Sequence, residues 1–280
     1  MPSGTTKNGG VEEANKPLVL VEANGGILTV TINRPEKRNA TNAEVLCRLL
    51  DAWKQLDSDP ELRVAILTGN GSTFCAGMDL AEIGRLRAGV RDNEWIIRLQ
   101  DDPSISLQAY LKTYRPTKPI ILAAEGFARA GGTEILQGTD IRVAGQSAVF
   151  GVTEVQRGLF PMAGSAVRLR RQIPYAVAAY MLLSGEDITA QRAYELGLIN
   201  EVVADGQALA RATQIAQRIA ANGPLAVKAI LATLRETESM SETDAFEIEM
   251  RHGAAVMSSN DAVEGPMAFI EKRPAKFTGT

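Results

Sequence analysis

The chain has 280 residues, 45% of them hydrophobic and 22% charged. That length suggests one or two domains able to bury a sizeable core without disulfide or metal staples. Thirty Lys and Arg against 33 Asp and Glu give a net charge of −3, and aromatics make up 5%; both argue against a dedicated nucleic-acid binder.

Residues 1–15 are polar and Gly-rich and lack the apolar segment of a signal peptide, so a disordered tail is expected there. Leu18–Val21 and Ile27–Ile32 are β-rich runs around Asn24-Gly25-Gly26, which predicts a hairpin. Thr41-Asn42-Ala43-Glu44 has the spacing of a capping box. The stripe Val45, Leu46, Leu49, Leu50, Trp53 and Leu56 then predicts a helix, stopped by Asp57–Pro60. Val64–Thr68 reads as a buried strand, followed by small residues and a helix starting near Asp79. Between Ala88 and Tyr114 periodicity decides little. Glu94–Leu99 looks helical, and a long segment of this kind is either a lid beside a pocket or a surface excursion.

Ile120–Ala124, Ile141–Ala144 and Ala148–Phe150 read as further strands, with a helix near Thr133–Gln137. Recurring strand, loop and helix predict an α/β fold built from β-α-β units. From Gly206 to Lys272 the patterns are helical, with breaks expected at Gly223-Pro224 and Gly265-Pro266. No apolar run is long enough to span a membrane.

The chemistry available is restricted. His252 is the one histidine, so multi-histidine metal sites are excluded within a chain, and its setting reads as structural or surface. Cys47 and Cys75 form no CxxC, which argues against a thiolate zinc site and suits a reduced, cytoplasmic compartment. Acid–base work then falls to carboxylates, Lys, Tyr and backbone dipoles. Gly69-Asn70-Gly71 starts like a dinucleotide fingerprint but lacks the third glycine, and no P-loop occurs.

Three Gly-rich junctions follow strand ends: Gly69–Leu80, Gly126–Glu134 and Phe150–Gly164. A strand, small residues and a helix start leave backbone N–H groups free to bind an oxyanion. Gly131 brings its N–H close to a ligand because no side chain intervenes. Glu134, three residues on, shares that face or simply complements the helix dipole. Glu154 is either a solvated loop charge or a desolvated acid, and spacing alone does not choose.

Several ordered motifs carry a resemblance. Asn33-Arg34-Pro35-Glu36-Lys37-Arg38-Asn39-Ala40, Phe74-Cys75-Ala76-Gly77-Met78-Asp79-Leu80, Gly131-Gly132-Thr133-Glu134, Phe150-Gly151-Val152-Thr153-Glu154 and the ending Glu264–Arg273 occur in sequence order. Over roughly Leu18–Phe277 the chain resembles the crotonase superfamily, in its enoyl-CoA hydratase branch. The resemblance implies a crotonase (ClpP-like) spiral of β-β-α units over residues 16–205 and a helical trimerisation region over 206–280, assembled as homotrimers or hexamers. It implies an acyl-CoA thioester substrate, with no cofactor beyond the CoA it carries, no metal, no nucleic acid and no membrane.

By motif matching, the N–H groups of Met78 and Gly131 would form the oxyanion hole, and Glu134 and Glu154 the acid–base pair. Arg34, Lys37, Arg38, Ala40, Ala76, Asp79 and Leu80 would contact substrate, the cations attracting CoA phosphates. Lys272, Arg273 and Lys276 are further candidates for those phosphates. The chain departs from the family at Ala130, where a glycine is usual, at Met78, and in the bulky segment Leu159–Ser165.

The expected reaction is hydration of a trans-2-enoyl-CoA. An isomerase needs one base rather than two carboxylates, a noncatalytic acyl-CoA binder needs neither, and a glycosidase pair would not be set beside oxyanion donors.

Overall fold

Gly25 and Gly26 take left-handed φ values of +56° and +80°, the twist that lets a two-residue turn join antiparallel strands. They connect β1 (Val19–Asn24) to β2 (Ile27–Ile32), as the sequence predicts. The computed structural model describes residues 16–280, and the tail expected over 1–15 lies outside the described residues.

From β2 onward the chain winds in turns. Helix α1 (Ala43–Ser58) follows, then β3 (Val64–Gly69), α2 (Leu80–Arg87), α3 (Glu94–Asp101) and α4 (Ser104–Ala109). Next come β4 (Ile120–Ala124), β5 (Phe127–Arg129), α5 (Gly131–Leu136), β6 (Ile141–Gly145) and β7 (Val149–Gly151). Helices α6 (Ser165–Gln172) and α7 (Tyr175–Ser184), β8 (Ile188–Thr189), α8 (Ala190–Glu195) and β9 (Glu201–Val203) complete the spiral. The larger sheet has order β1-β2-β3-β4-β6-β9, parallel from β2 to β9. A smaller sheet has order β5-β7-β8, and Cys75 bridges Ala128 at its edge. Each turn therefore lays one strand in the large sheet, bends, and lays a short one in the small sheet. At the bend before β5, Gly126 has φ +56°, and a Cβ there would sit 2.1 Å from the Ser72 carbonyl oxygen.

Strands β3 and β4 are covered on both faces, which is why they read as continuous apolar runs. Ala65, Leu67, Ile120 and Leu122 face α1, whose stripe from Val45 to Leu56 is buried. Ile66, Ile121 and Val143 face the other way, onto Ala208, Ala212 and Ala216 of α9 (Ala208–Ala220).

The buried alanine stripe makes α9 a layer of the core, and open apolar faces follow on the helices from Pro224 onward. Two expectations are corrected. The cap of α1 is Asn42, whose side chain accepts the Val45 N–H at 3.0 Å. Thr41 instead bridges Met78. Pro266 does not break the chain, since α12 (Asn260–Ile270) runs through it. Helix α10 (Pro224–Glu236) starts at the expected break, and α11 (Glu242–Met257) packs on it. Leu234, Met250, Met257 and Phe269 of these last helices are largely exposed. No helix among the described residues is long and apolar enough to cross a membrane.

Candidate active site

Two loops meet because a glycine permits it. Gly77 has φ +95°, and a Cβ there would lie 2.7 Å from the Ala130 Cβ and 3.4 Å from the Gly131 nitrogen. The Thr41 N–H donates to the Gly77 carbonyl and the Asp79 N–H to the Thr41 carbonyl, both at 2.8 Å. Strand-like alternation then turns the Met78 N–H to the opposite side. Gly131 opens α5, where the first N–H groups have no helical acceptor. Neither N–H finds a protein acceptor among the described residues. Both residues line one cavity of about 810 Å³, together with Glu134 and Glu154.

Gly131 is required by its neighbour. A Cβ would come within 2.6 Å of the buried Tyr110 hydroxyl, which is itself held 2.5 Å from Thr41 Oγ1. Ala130 precedes it at φ +50°, ψ −122°, a backbone conformation costly for an alanine. The Ala130 N–H is tied to the Gly151 carbonyl at 2.8 Å, and the Gly151 N–H to Thr133 Oγ1 at 3.1 Å. The start of α5 is thus clamped to the end of β7, the strand that delivers Glu154. Arg129 turns outward to pair with Asp187 and leaves the cavity clear.

Glu134 is 4% exposed. Burial raises its pKa above the usual carboxylate value, opposed by N–H groups of Ser165, Ala163 and Gly164; the Ser165 contact is 3.1 Å. Glu154 enters from the short 3-10 turn Glu154–Arg157 after β7. Burial, and next the charge of Glu134, push its pKa up to about 7. Its Oε2 is buried without a hydrogen-bond partner. The spacing left open whether Glu154 was solvated, and the structure places it as a desolvated acid beside a second carboxyl.

The expected substrate contacts divide. Ala76 and Leu80 line the cavity, Leu80 at its rim. Asp79 does not. It caps α2 by accepting the Ala81 N–H at 3.0 Å and pairs with Arg34 at 2.8 Å. Burial would raise its carboxyl, but Arg34 and the N–H groups of Ala81 and Glu82 outweigh that and lower it. Arg34 also donates to the Ala40 carbonyl at 3.0 Å. Arg34, Ala40 and Asp79 therefore hold the loop together, and Arg34 is not a free cation for phosphate. Lys37 and Arg38 are exposed and lie outside the cavity wall. Arg273 is paired with Glu264 and Glu271.

His252 joins two helices through Thr233 Oγ1, 2.8 Å from its Nδ1. Cys75 is buried and its thiol is pushed up to about 12, which suits an inert packing role. Sequence reasoning missed Tyr110, although it lies in the undecided segment. That segment does border the cavity, through Leu99, Pro103 and Leu107.

A family model described as enoyl-CoA hydratase/isomerase matches residues 22–280. The chain belongs to the enoyl-CoA hydratase/isomerase family. Its relatives in that family include enoyl-CoA hydratase EchA19 of Mycobacterium tuberculosis, 53% identical over 93% of this chain and 96% of the relative. The 2,3-dehydroadipyl-CoA hydratase of Escherichia coli is 33% identical over 93% of this chain and 98% of that one. The crystal structure of enoyl-CoA hydratase EchA1 from Mycobacterium marinum matches with a TM-score of 0.83 at 42% identity, covering 95% of this chain and all of that one. An enoyl-CoA hydratase/isomerase fold is therefore shown, the spiral core with it.

Proposed function

We propose that this protein hydrates the 2,3 double bond of a trans-2-enoyl-CoA, with Met78, Gly131, Glu134 and Glu154 as its machinery. The observation that carries the assignment is the shared cavity: Met78 and Gly131, whose N–H groups have no acceptor, line the same space as buried Glu134 and half-buried Glu154.

The thioester oxygen accepts both N–H groups. Ionised Glu134 takes a proton from water as its oxygen bonds to C3, and the π electrons move onto the thioester oxygen as an enolate. Losing one such preorganised donor typically costs about 3 kcal/mol. The enolate collapses as C2 takes the proton of Glu154, giving a 3-hydroxyacyl-CoA. Glu134 then holds a proton and Glu154 none, so one proton passes back between them before the next turnover. The roles follow the environments. Glu134 receives N–H donors that favour its charged form, whereas Glu154, with an unpartnered oxygen and a pKa pushed up to about 7, keeps about half of its population protonated at neutral pH.

The reaction as written uses no redox or metal cofactor, and CoA arrives as part of the substrate. The apolar faces left open on α10–α12 suit assembly into trimers or hexamers. The free, buried cysteines suit a cytoplasmic setting. Incubation with 2-enoyl and 3-enoyl thioesters tests the activity. Hydration adds the mass of a water to the 2-enoyl substrate; isomerisation of the 3-enoyl substrate without hydration of the 2-enoyl one would contradict it.

A further inference from the structure

The two oxyanion donors come from different loops, and a pair of buried hydroxyls links those loops from the side. Thr41 pairs with the strand that carries Met78, giving its N–H to Gly77 and accepting that of Asp79. Its Oγ1 lies 2.5 Å from the Tyr110 hydroxyl. The other neighbour of that oxygen, the Gly77 carbonyl, is 3.5 Å away, at the outer limit of a hydrogen bond. Tyr110 is therefore the main partner of the Thr41 side chain. The same Tyr110 hydroxyl, with the ring carbons next to it, lies so close against Gly131 that no Cβ fits between them. A line of contact thus runs beside the oxyanion hole, from Met78 through Thr41 and Tyr110 to Gly131.

Tyr110 is held from both sides. The Ala109 carbonyl accepts the Trp53 indole N–H at 3.0 Å, which ties it to α1. The Leu111 carbonyl accepts Arg168 Nη2 at 2.7 Å, which ties it to α6. Leu111 itself turns at φ +58°, a conformation that most side chains avoid. Thr41 is 1% exposed and Tyr110 6%, so neither hydroxyl trades its partner for bulk water. Packing alone does not call for these hydroxyls. A buried hydroxyl is costly without a partner, and valine with phenylalanine would fill the same space without that cost. What the hydrogen bond adds is a fixed distance and direction between the strand of Met78 and the ring that abuts Gly131.

We propose that Tyr110 and Thr41 are positioning residues: their hydrogen-bonded pair sets the spacing of the Met78 and Gly131 N–H groups so that one thioester oxygen accepts both. This rests on the reading of those two N–H groups as the oxyanion hole. The pair acts through the backbone on either side of it, by holding two loops in register.

The test uses the full chain and two readouts, with melting temperature as the check on folding. One is hydration of trans-2-hexenoyl-CoA. The other is the infrared carbonyl stretch of bound hexanoyl-CoA, isotope-labelled at its thioester carbon. A carbonyl that accepts two preorganised N–H groups is polarised, and its stretch falls below the value in water; a purely structural role does not move it. Tyr110→Phe and Thr41→Val should each return the bound stretch towards the value in water. Each should lower kcat about tenfold with KM within about threefold, a smaller loss than deleting a donor outright. The double variant should lose little more than either single one, since both break the same bond. Thr41→Ser keeps the hydroxyl and should restore most of the shift. If Tyr110→Phe does not fold, Thr41→Val decides alone. An unmoved stretch in the folded variants, whatever happens to kcat, would overturn the proposal and leave the hydratase reading standing. A stretch no lower on the unaltered protein than in water would overturn the oxyanion assignment, and the proposal with it.

Discussion

The loop Arg34–Thr41 and the junction Arg129–Glu134 touch through Gly77, yet they are built on opposite rules. In the first, polar groups satisfy one another. Arg34 is spent on Asp79 and the Ala40 carbonyl, and the Asn39 amide donates to the carbonyls of Asn70 and Thr73. In and beside the second, polar groups are left short: the N–H groups of Gly131 and of Met78 have no acceptor, and the buried Glu154 Oε2, close by, has no donor. A buried polar group without a partner is costly. Concentrating such groups around one cavity marks where a ligand completes the bonding, whereas the charged loop completes itself.

The contrast breaks most readily at Gly131. Gly131→Ala forces a methyl against the Tyr110 hydroxyl and displaces the N–H; kcat should fall at least about 100-fold, the cost of losing an oxyanion donor. Tyr110→Phe in the same chain removes the atom nearest the clash and should recover part of that loss.

The pH dependence sharpens it next. Glu154 must be protonated to deliver its proton, so kcat/KM should decline as pH rises through about 7. The same shift acts on stability. The folded pKa lies above the unfolded one, so the folded state holds the extra proton between the two values. The stabilisation is complete below about 4.5 and lost as pH rises through about 7. Glu154→Gln should flatten the melting temperature over that window, read by thermal denaturation.

The self-satisfied loop should respond differently. Arg34→Met should lower the melting temperature by unpairing Asp79. Lys37→Gln with Arg38→Gln should leave it unchanged and raise KM about twofold at low salt, an effect that vanishes at high salt. The smallest effect is expected at Ala130. Ala130→Gly relieves a backbone strained at φ +50° and should gain about 1 kcal/mol, or about 2 °C, in calorimetry.

Legibility followed the same divide between pattern and partnership. The stripe on α1 and the apolar runs of β3 and β4 were readable because periodicity reports burial directly. The packing of helix α9 on the sheet is harder to read, since a stripe of Ala208, Ala212 and Ala216 gives little hydropathy contrast. Glu134 and Glu154 were found through ordered motifs, and spacing alone left both open. The sequence shows that Arg34 is a cation but not that its partner lies 45 residues on. Ser165 and Gln137, 28 residues apart, gave no signal of their contact. Tyr110 sits in a segment where short helices defeat periodicity, so its role at Gly131 emerges only in three dimensions.

Hydration of a trans-2-enoyl-CoA by Glu134→Gln and by Glu154→Gln, beside measured affinity for the 3-hydroxyacyl-CoA product, tests the shared cavity most directly. Each variant should lose at least about 100-fold in rate and keep its product affinity within about threefold, because the amides that grip the thioester are untouched. Hydration within threefold of the unaltered protein in either variant would contradict the account.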